Sequence, residues 1–189
     1  MATKSTIGPT IGVLALQGDF AEHIATLRKL KIPCVEVRTV ADIKKTAGLI
    51  MPGGESTTIG KLLRSTGLDV WLKTHVKKGY AVYGTCAGAI LLSKLKLIDI
   101  TVKRNAYGRQ LDSFDEPIQS QQFPKLRGIF IRAPKITAVG PGVQILAKHH
   151  GNPVLVQQGN ILAGTFHPEL TDQLTVHQCF VDIASRYHS

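Results

Sequence analysis

The apolar and polar positions of the chain follow one pattern in its first half and another in its second. In the first half, short apolar runs alternate with segments whose apolar residues recur at helical spacing. These patterns predict strands at Ile11–Leu16, Cys34–Val37, Leu49–Met51 and Tyr80–Tyr83, and helices at Ala21–Leu30, Thr57–Ser65 and Val70–Lys77. Because alternating buried strands and helices form covered parallel sheets, we expect a three-layer α/β fold with a mostly parallel sheet between helices.

The second half is richer in strands with short connections. Strands are predicted at Ile98–Val102, Ile129–Arg132, Val143–Ala147, Pro153–Gln157 and Asn160–Ala163. The letters QQGN before Ile161 are typical of a hairpin turn, and Thr175–Tyr187 has the spacing of a final amphipathic helix. A chain of 189 residues is expected to form one domain, residues 1–189.

Composition and cysteine content favour a cytoplasmic globular protein. Hydrophobic residues make up 43% and charged residues 19% of the chain. Apolar runs such as Ala87–Leu92 are far shorter than the roughly 20 residues of a membrane span, and the first ten residues lack the apolar core of a secretory signal. The three cysteines are widely spaced, which predicts neither disulfides nor a metal cluster.

The net charge of +10 raises the question of nucleic-acid binding. Its distribution argues against that function, because the basic residues are scattered in pairs such as Lys44-Lys45, Lys77-Lys78 and Lys103-Arg104. We therefore expect no nucleic-acid partner and relate the charge to solubility or to an acidic partner surface.

Three unusual loops follow predicted strands: Gln17-Gly18, Pro52–Ser56 and Gly84–Gly88. The carboxyl ends of parallel strands meet at one edge of a sheet, where active groups gather in such folds. The third loop, Gly84-Thr85-Cys86-Ala87-Gly88, has the G-x-C-x-G pattern of a nucleophile elbow, which would place Cys86 at a helix N-terminus that stabilises a thiolate. The alternative is a buried structural cysteine, the role expected for Cys34 and Cys179.

A thiol nucleophile needs a base, and His167 is the main candidate. Glu169 follows two positions later, and in an extended segment the two side chains share a face, so Glu169 would orient the imidazole. An ordinary polar loop is the alternative. The pair His149-His150 is the rival base, and the histidines expected to be solvated are His23, His75, His177 and His188.

Glycines in the segment Pro52-Gly53-Gly54-Glu55-Ser56 allow backbone N–H groups to turn toward a ligand. The N–H groups of Gly54 and Ala87 would then form an oxyanion hole, although a plain loop remains the alternative.

Six segments carry a resemblance to a known family: LALQGDFAEH, MPGGESTTI, YGTCAGA, RNAYGRQLDSF, IFIRAP and FHPELT. They resemble the glutaminase subunits of pyridoxal 5'-phosphate synthase, which are class I triad glutamine amidotransferases. The resemblance extends from about Ile11 to Tyr187. The elbow and the His-x-Glu pattern are shared by all triad amidotransferases, whereas PGGEST, RNAYGRQ and FIRAP are particular to this subfamily.

The resemblance implies a class I glutamine amidotransferase fold, which is flavodoxin-like, and a glutaminase that uses neither a metal nor an organic cofactor. Cys86 would be the nucleophile, His167 the base and Glu169 its orienting partner. The residues that it assigns to the glutamine site are Gly54, Glu55, Ser56, Arg104, Ile131 and Arg132. Ammonia would pass to a separate synthase subunit, in a hetero-oligomer that makes pyridoxal 5'-phosphate as its product.

Two further expectations concern departures from the family pattern and control of the site by the synthase subunit. The segments near 94–97 and 115–127 are shorter than is usual in the family, so the surroundings of Arg104 are expected to differ while the triad does not. Gln17 and Gly18, at the same sheet edge, are the candidates for sensing the synthase subunit.

Two other functions stay open at this point. One is a different cysteine hydrolase on a similar sheet, such as a γ-glutamyl hydrolase or another amidotransferase subunit. The other is a non-catalytic basic binding module in which Cys86 is structural.

Overall fold

The fold is built on one seven-stranded sheet, seen in a computed structural model that describes residues 8–104 and 113–187. The strands are β1 (Ile11–Leu14), β2 (Cys34–Val37), β3 (Gly48–Met51), β4 (Ala81–Thr85), β5 (Ile100–Lys103), β6 (Ser113–Pro117), β7 (Arg127–Ile131), β8 (Lys135–Val139), β9 (Gln144–His149), β10 (Asn152–Gln158) and β11 (Ile161–Gly164). The α-helices are α1 (Phe20–Lys29), α2 (Val40–Ile43), α3 (Ser56–Ser65), α4 (Leu68–His75), α5 (Ala87–Lys94) and α6 (Thr175–Tyr187). Short 3-10 helices cover Val76–Lys78 and Pro168–Leu170.

The strand order of the large sheet is β2-β1-β3-β4-β11-β10-β9. The first five strands are parallel, and β10 and β9 extend the sheet with antiparallel pairing. Two antiparallel ribbons, β5-β8 and β6-β7, complete the β-structure of the described residues. The parallel strands β1, β3 and β4 therefore bring their carboxyl ends to one edge.

Alternate side chains of the central strands enter two separate cores, which makes the fold three-layered. On one face, Tyr83 packs near Phe180 of α6, with ring centroids 5.6 Å apart, in a cluster that includes Leu27 of α1. On the other face, Val82 belongs to a cluster with residues of α3, α4 and α5 such as Leu91. The prediction of a mostly parallel sheet flanked by helices is confirmed, while the single domain over residues 1–189 stays a prediction.

The predicted elements are present with shifted ends, and the hairpin at Gly159-Asn160 joins β10 to β11 as predicted. Four elements were not predicted: α2, β6, β8 and the 3-10 helix Pro168–Leu170, which stands where an extended segment was expected. Helix α2 has only four residues, too few to show a hydrophobic period. Strand β6 has no buried residue and carries Asp115, Glu116 and Pro117, and β8 has one buried residue among five, so neither has the apolar run of a buried strand.

Within residues 8–104 and 113–187, no helix has both the length and the apolar character needed to cross a membrane.

Candidate active site

Cys86 occupies a sharp turn between β4 and α5. Its backbone has φ 47° and ψ −103°, a region that residues other than glycine rarely adopt. The turn is held by the N–H of Cys86, which donates to the carbonyl of Gly164 at 2.9 Å. Backbone strain of this kind is typical of a nucleophile elbow, so the predicted geometry of the turn is confirmed.

The glycines on either side of Cys86 are required by close backbone approach. A Cβ on Gly88 would lie 2.1 Å from the carbonyl oxygen of Met51, and one on Gly84 would lie 2.6 Å from the carbonyl carbon of Gly88. No side chain fits at either position. The elbow can therefore press α5 against the neighbouring strand β3.

His167 follows β11 and is held from two sides. Its backbone N–H donates to the carbonyl of Ile129 on β7 at 2.8 Å. Its Nδ1 lies 2.7 Å from Oε1 of Glu169, which belongs to the 3-10 helix, and both side chains are buried. The imidazole and Cys86 line the same cleft. The structure therefore brings together the three residues predicted as the triad.

The charges of this group favour a protonated imidazole. Burial is the largest single influence on the pKa of His167 and lowers it, but the interactions with Cys86 and Glu169 together outweigh burial and raise the pKa to about 10. Burial raises the pKa of Glu169, and its hydrogen bond to His167 counteracts that effect.

The other histidines have different surroundings. His149 and His150 meet Oε2 of Glu116, at 2.6 and 3.0 Å, and do not line the cleft around Cys86. The prediction that His23 and His177 are solvated is wrong, because both are 0% exposed. His23 shares the apolar face of α1 with Phe20, Ile24 and Leu27, a spacing that predicts burial and was the available signal.

Three minor expectations also have outcomes. Half-buried His75 stacks on Trp71, with ring centroids 3.9 Å apart, so it is not simply solvated. Cys34 and Cys179 are half-buried against the core rather than fully buried. His188 and the residues 105–112 of the segment RNAYGRQLDSF lie outside the described part of the chain.

Cys86 and His167 open into a cleft of about 550 Å³. Every residue predicted for the oxyanion hole or the glutamine site lines it: Gly54, Glu55, Ser56, Ala87, Arg104, Ile131 and Arg132. Asp19 and Ile90 line it as well and were not predicted. Asp19 had a signal, since it directly follows Gln17-Gly18 at the end of the first strand. Glu169 lies behind the imidazole, out of the cleft.

Glu55 and Arg104 form the outer wall of the cleft. The carboxylate of Glu55 accepts from the N–H groups of Thr57 at 2.9 Å and Thr58 at 2.7 Å, and so caps α3. These backbone hydrogen bonds, with that of the Thr58 hydroxyl, lower the pKa of Glu55 to about 2. Arg104 donates to Oε1 of Glu55 at 3.3 Å and to the Thr57 hydroxyl at 3.2 Å. A carboxylate that is charged throughout the neutral range therefore holds this arginine at the cleft.

Gln17 and Gly18 lie against the loop that carries Gly54. Oε1 of Gln17 accepts from the N–H of Glu55 at 2.8 Å. The N–H of Asp19 donates to the carbonyl of Gly53 at 3.1 Å, and Gly18 packs against that carbonyl. The Gln17–Asp19 turn thus fixes the orientation of the Gly53–Gly54 peptide.

Two groups of residues in the described chain have the donor atoms for a metal ion. One is Asp19, His167 and Glu169, and the other is Glu116, His149 and His150. In the first group, Nδ1 of His167 carries the hydrogen bond to Glu169, so that nitrogen has no lone pair for a metal. The arrangement at Cys86 is suited to proton transfer.

Together, the fold and the cleft define an α/β protein of the nucleophile-elbow class, with the cysteine, histidine and carboxylate arrangement of hydrolases that act on amides and esters. The chain belongs to the SNO glutamine amidotransferase family, whose model matches residues 13–186.

Relatives at high identity agree with that family. Pyridoxal 5'-phosphate synthase subunit PdxT of Pseudothermotoga lettingae is 50% identical over 95% of this chain and 98% of the relative. A PdxT subunit of Thermus thermophilus is 46% identical over 92% of this chain and 97% of its own. A crystal structure described as a glutamine amidotransferase superposes with a TM-score of 0.89, at 45% identity, over 92% of this chain and 98% of that one.

Proposed function

We propose that this chain hydrolyses L-glutamine to L-glutamate and ammonia, with Cys86 as nucleophile, His167 as acid and base, and Glu169 as its support. The ammonia passes to a separate synthase subunit that makes pyridoxal 5'-phosphate. The observation that carries the proposal is that Cys86 and His167 share one cleft with Arg104 and Arg132, in a chain that is 50% identical to a pyridoxal 5'-phosphate synthase subunit.

In the first half of the reaction, the Cys86 thiolate attacks the carbon of the glutamine carboxamide. The carbonyl oxygen takes up the negative charge and is stabilised by the backbone N–H groups of Ala87 and Gly54, both at the cleft. His167 gives its proton to the nitrogen as the C–N bond breaks. Ammonia leaves, and a thioester between Cys86 and the glutamyl group remains.

In the second half, neutral His167 takes a proton from a water molecule, and the resulting hydroxide attacks the thioester carbon. The C–S bond breaks, Cys86 returns as a thiolate, and the new carboxyl group of glutamate ionises. Glu169 stays a carboxylate throughout and stabilises the imidazolium through its hydrogen bond to Nδ1.

Substrate selection follows from the charges around the cleft. Glutamine is a zwitterion, so its α-carboxylate needs a cation and its ammonium group an acceptor. Arg104 and Arg132 supply the positive charges at the cleft. Asp19 and Glu55 supply the negative ones.

The proposed location is the cytoplasm. All three cysteines are free, and Cys86 must be reduced to act as a nucleophile. A reducing compartment keeps such thiols available.

The proposal is tested by measuring ammonia and glutamate release from L-glutamine, with and without the synthase subunit, for the wild type and Cys86→Ser. The same assay with a γ-glutamyl peptide tests the γ-glutamyl hydrolase alternative. Glutamine-dependent release that requires Cys86 supports the proposal. Turnover of the peptide in preference to glutamine, or failure of Cys86 to react with a glutamine-like electrophile, would overturn it.

A further inference from the structure

Behind the carboxylate of Glu169 lie two histidines that the reaction described above does not use. His23 on α1 and His177 on α6 are both fully buried. Nδ1 of His23 lies 2.9 Å from Nε2 of His177. Nε2 of His23 lies 3.1 Å from the hydroxyl of Thr85 and 3.4 Å from Oε1 of Glu169. The pair therefore touches both the carboxylate of the triad and the residue preceding Cys86.

Both imidazoles are neutral in this environment. Burial lowers the pKa of His23 well below its usual value, and the neighbouring His177 and His167 lower it further. Burial lowers the pKa of His177 to about 3. A neutral imidazole has one N–H donor and one bare nitrogen, so the contacts of each ring depend on its tautomer.

The contacts of His23 favour one tautomer. If Nε2 of His23 carries the hydrogen, that N–H points its positive end at Thr85 and Glu169, while Nδ1 accepts from the Nε2–H of His177. In the opposite tautomer, a nitrogen lone pair would face the carboxylate of Glu169. Nδ1 of His177, which has no hydrogen-bond partner among the described residues, would then be a buried donor left unpaired. The first arrangement avoids the lone pair that faces Glu169, and it leaves Nδ1 of His177 as an unpaired acceptor rather than an unpaired N–H donor.

We propose that His23 is a positioning residue for the triad, which holds Glu169 in place through its Nε2–H and is itself oriented by His177. This inference rests on the proposed function of Cys86, His167 and Glu169. Oε1 of Glu169 would face two N–H groups, that of His167 at 2.7 Å and that of His23 at 3.4 Å. Its other oxygen, Oε2, is buried and has no partner among the described residues.

The physical role of His23 is to keep this buried carboxylate charged and correctly rotated. The titratable groups that act on Glu169 are His167 and His23, with Asp19 and Tyr83 at longer range, and those that act on His23 are His177 and His167. Loss of an N–H group near a carboxylate makes the charged form less stable. Without His23, Glu169 is expected to take up a proton at higher pH, and the imidazolium of His167 loses support.

The test compares His23→Leu, which removes the donor, with His23→Gln, whose terminal amide retains one. Rates are measured in the complex with the synthase subunit, as pH profiles of kcat and KM. We expect His23→Leu to lower kcat by roughly tenfold or more, to leave KM nearly unchanged, and to move the acidic limb of the profile to higher pH. His23→Gln is expected to recover most of kcat, and His177→Leu to lose less than His23→Leu.

Two further measurements separate positioning from folding. In the Glu169→Gln variant, adding His23→Leu should lower kcat only slightly further, because His23 acts through the carboxylate that Glu169→Gln has already removed. If His23→Leu does not fold, the same cycle is made with His23→Phe, which keeps a ring but has no N–H donor. Wild-type rates and pH profile in a folded His23→Leu variant, or losses that multiply in the double variant, would overturn the proposal.

A spectroscopic readout does not depend on glutamine turnover. In the wild-type chain labelled with 15N-histidine, NMR should show that His23 and His177 each carry hydrogen on Nε2 and have a bare Nδ1, and His23→Leu should remove the signals that belong to His23. The opposite tautomer for His23 would overturn the proposal even if the chain is an active glutaminase. An inactive wild type with the expected tautomer would overturn the proposed function instead.

Discussion

Nδ1 of His167 lies 2.7 Å from Oε1 of Glu169, and a single proline separates the two residues in the chain. The contact is made by a turn, because Glu169 belongs to the 3-10 helix Pro168–Leu170 that begins directly after His167. Its short range makes the pair independent of distant loops. The nucleophile, by contrast, follows β4, whereas His167 follows β11. The triad therefore depends on the parallel pairing of these two strands, which brings Cys86 and His167 together.

Replacing Cys86 by serine is expected to abolish glutamine hydrolysis and to leave the fold and partner binding intact. A hydroxyl lacks the acidity and nucleophilicity of a thiol, and the change in volume is small. Ammonia release measures the first effect and thermal unfolding the second. Cys34→Ser, a half-buried position on β2, is the matched control and should keep activity. Wild-type ammonia release from Cys86→Ser would remove Cys86 from the mechanism.

Glu169→Gln is expected to lower kcat less than His167→Asn does. His167 transfers protons in both half-reactions, so its loss should cost more than about a thousandfold, whereas Glu169 orients and supports the imidazolium. Steady-state kinetics with glutamine in the presence of the synthase subunit compare the two variants. An equal or greater loss at Glu169 would show that the roles are assigned incorrectly.

Arg104→Ala or Arg132→Ala is expected to raise the KM for glutamine by roughly ten- to hundredfold, since a charge-assisted hydrogen bond to the substrate carboxylate is lost. Arg127→Ala is the control, because Arg127 pairs with Asp115 and does not line the cleft. The measurement is glutamine saturation for the three variants. Unchanged KM values at both cleft arginines would mean that they do not bind the substrate.

The buried histidines predict a loss of stability in acid. The pKa of His177 is about 3 in the folded chain because of burial, against about 6.5 when unfolded, so between these values only the unfolded chain takes up the proton. The free energy of unfolding that neutral His177 contributes is fully present above pH 6.5. It is lost as the pH falls toward 3, by up to about 1.4 kcal/mol per pH unit. Urea unfolding between pH 7 and 5 should therefore show a shallower decline for His177→Leu. An equal slope in both proteins would contradict neutral burial.

The sequence carried enough information for the sheet, the elbow and the cleft, because each has a local signal. Buried parallel strands are continuous apolar runs, and Gly84 and Gly88 mark a turn that no side chain fits. The burial of His23 had a signal in its helical spacing, but the contact between His23 and His177 had none, because it depends on tertiary packing. Each lies on the apolar face of its helix, and only the packing of α1 and α6 against β4 brings the two rings together behind Glu169.

The elements missed were those without a burial pattern. Strand β6 alternates between exposed and half-buried positions and carries two acidic residues, so Phe114, which stacks on Phe130 of β7, is its single apolar core contact and gives no strand pattern. Asp19 directly follows the predicted Gln17-Gly18 loop, but its approach to within 3.7 Å of Nδ1 of His167 joins residues far apart in the chain and had no local signal.

The isolated chain is expected to be a poor glutaminase that the synthase subunit activates. The carbonyl of Gly53 accepts from the N–H of Asp19 at 3.1 Å, and a trans peptide points the N–H of Gly54 away from that turn. Any rotation of this peptide breaks the hydrogen bond. A donor missing from the oxyanion hole costs about a hundred- to thousandfold in rate, so kcat should rise by that order when saturating synthase subunit is added. A fully active isolated chain, unchanged by the partner, would refute this.

Gly18 tests whether the Gln17–Asp19 turn is the part that controls the peptide. Gly18 has φ +101°, and a Cβ there would lie 1.8 Å from the carbonyl oxygen of Gly53, so Gly18→Ala must displace that carbonyl. Gly67→Ala is the matched control, with φ +73° and no heavy atom within 4 Å of the added Cβ, because it imposes similar backbone strain away from the cleft. We expect the ratio of kcat with and without the synthase subunit to fall at least about tenfold in Gly18→Ala, since the missing donor accounts for a hundredfold or more. The ratio should keep its wild-type value in Gly67→Ala. Equal ratios in the two variants would mean that the partner acts on the cleft by another route than this turn.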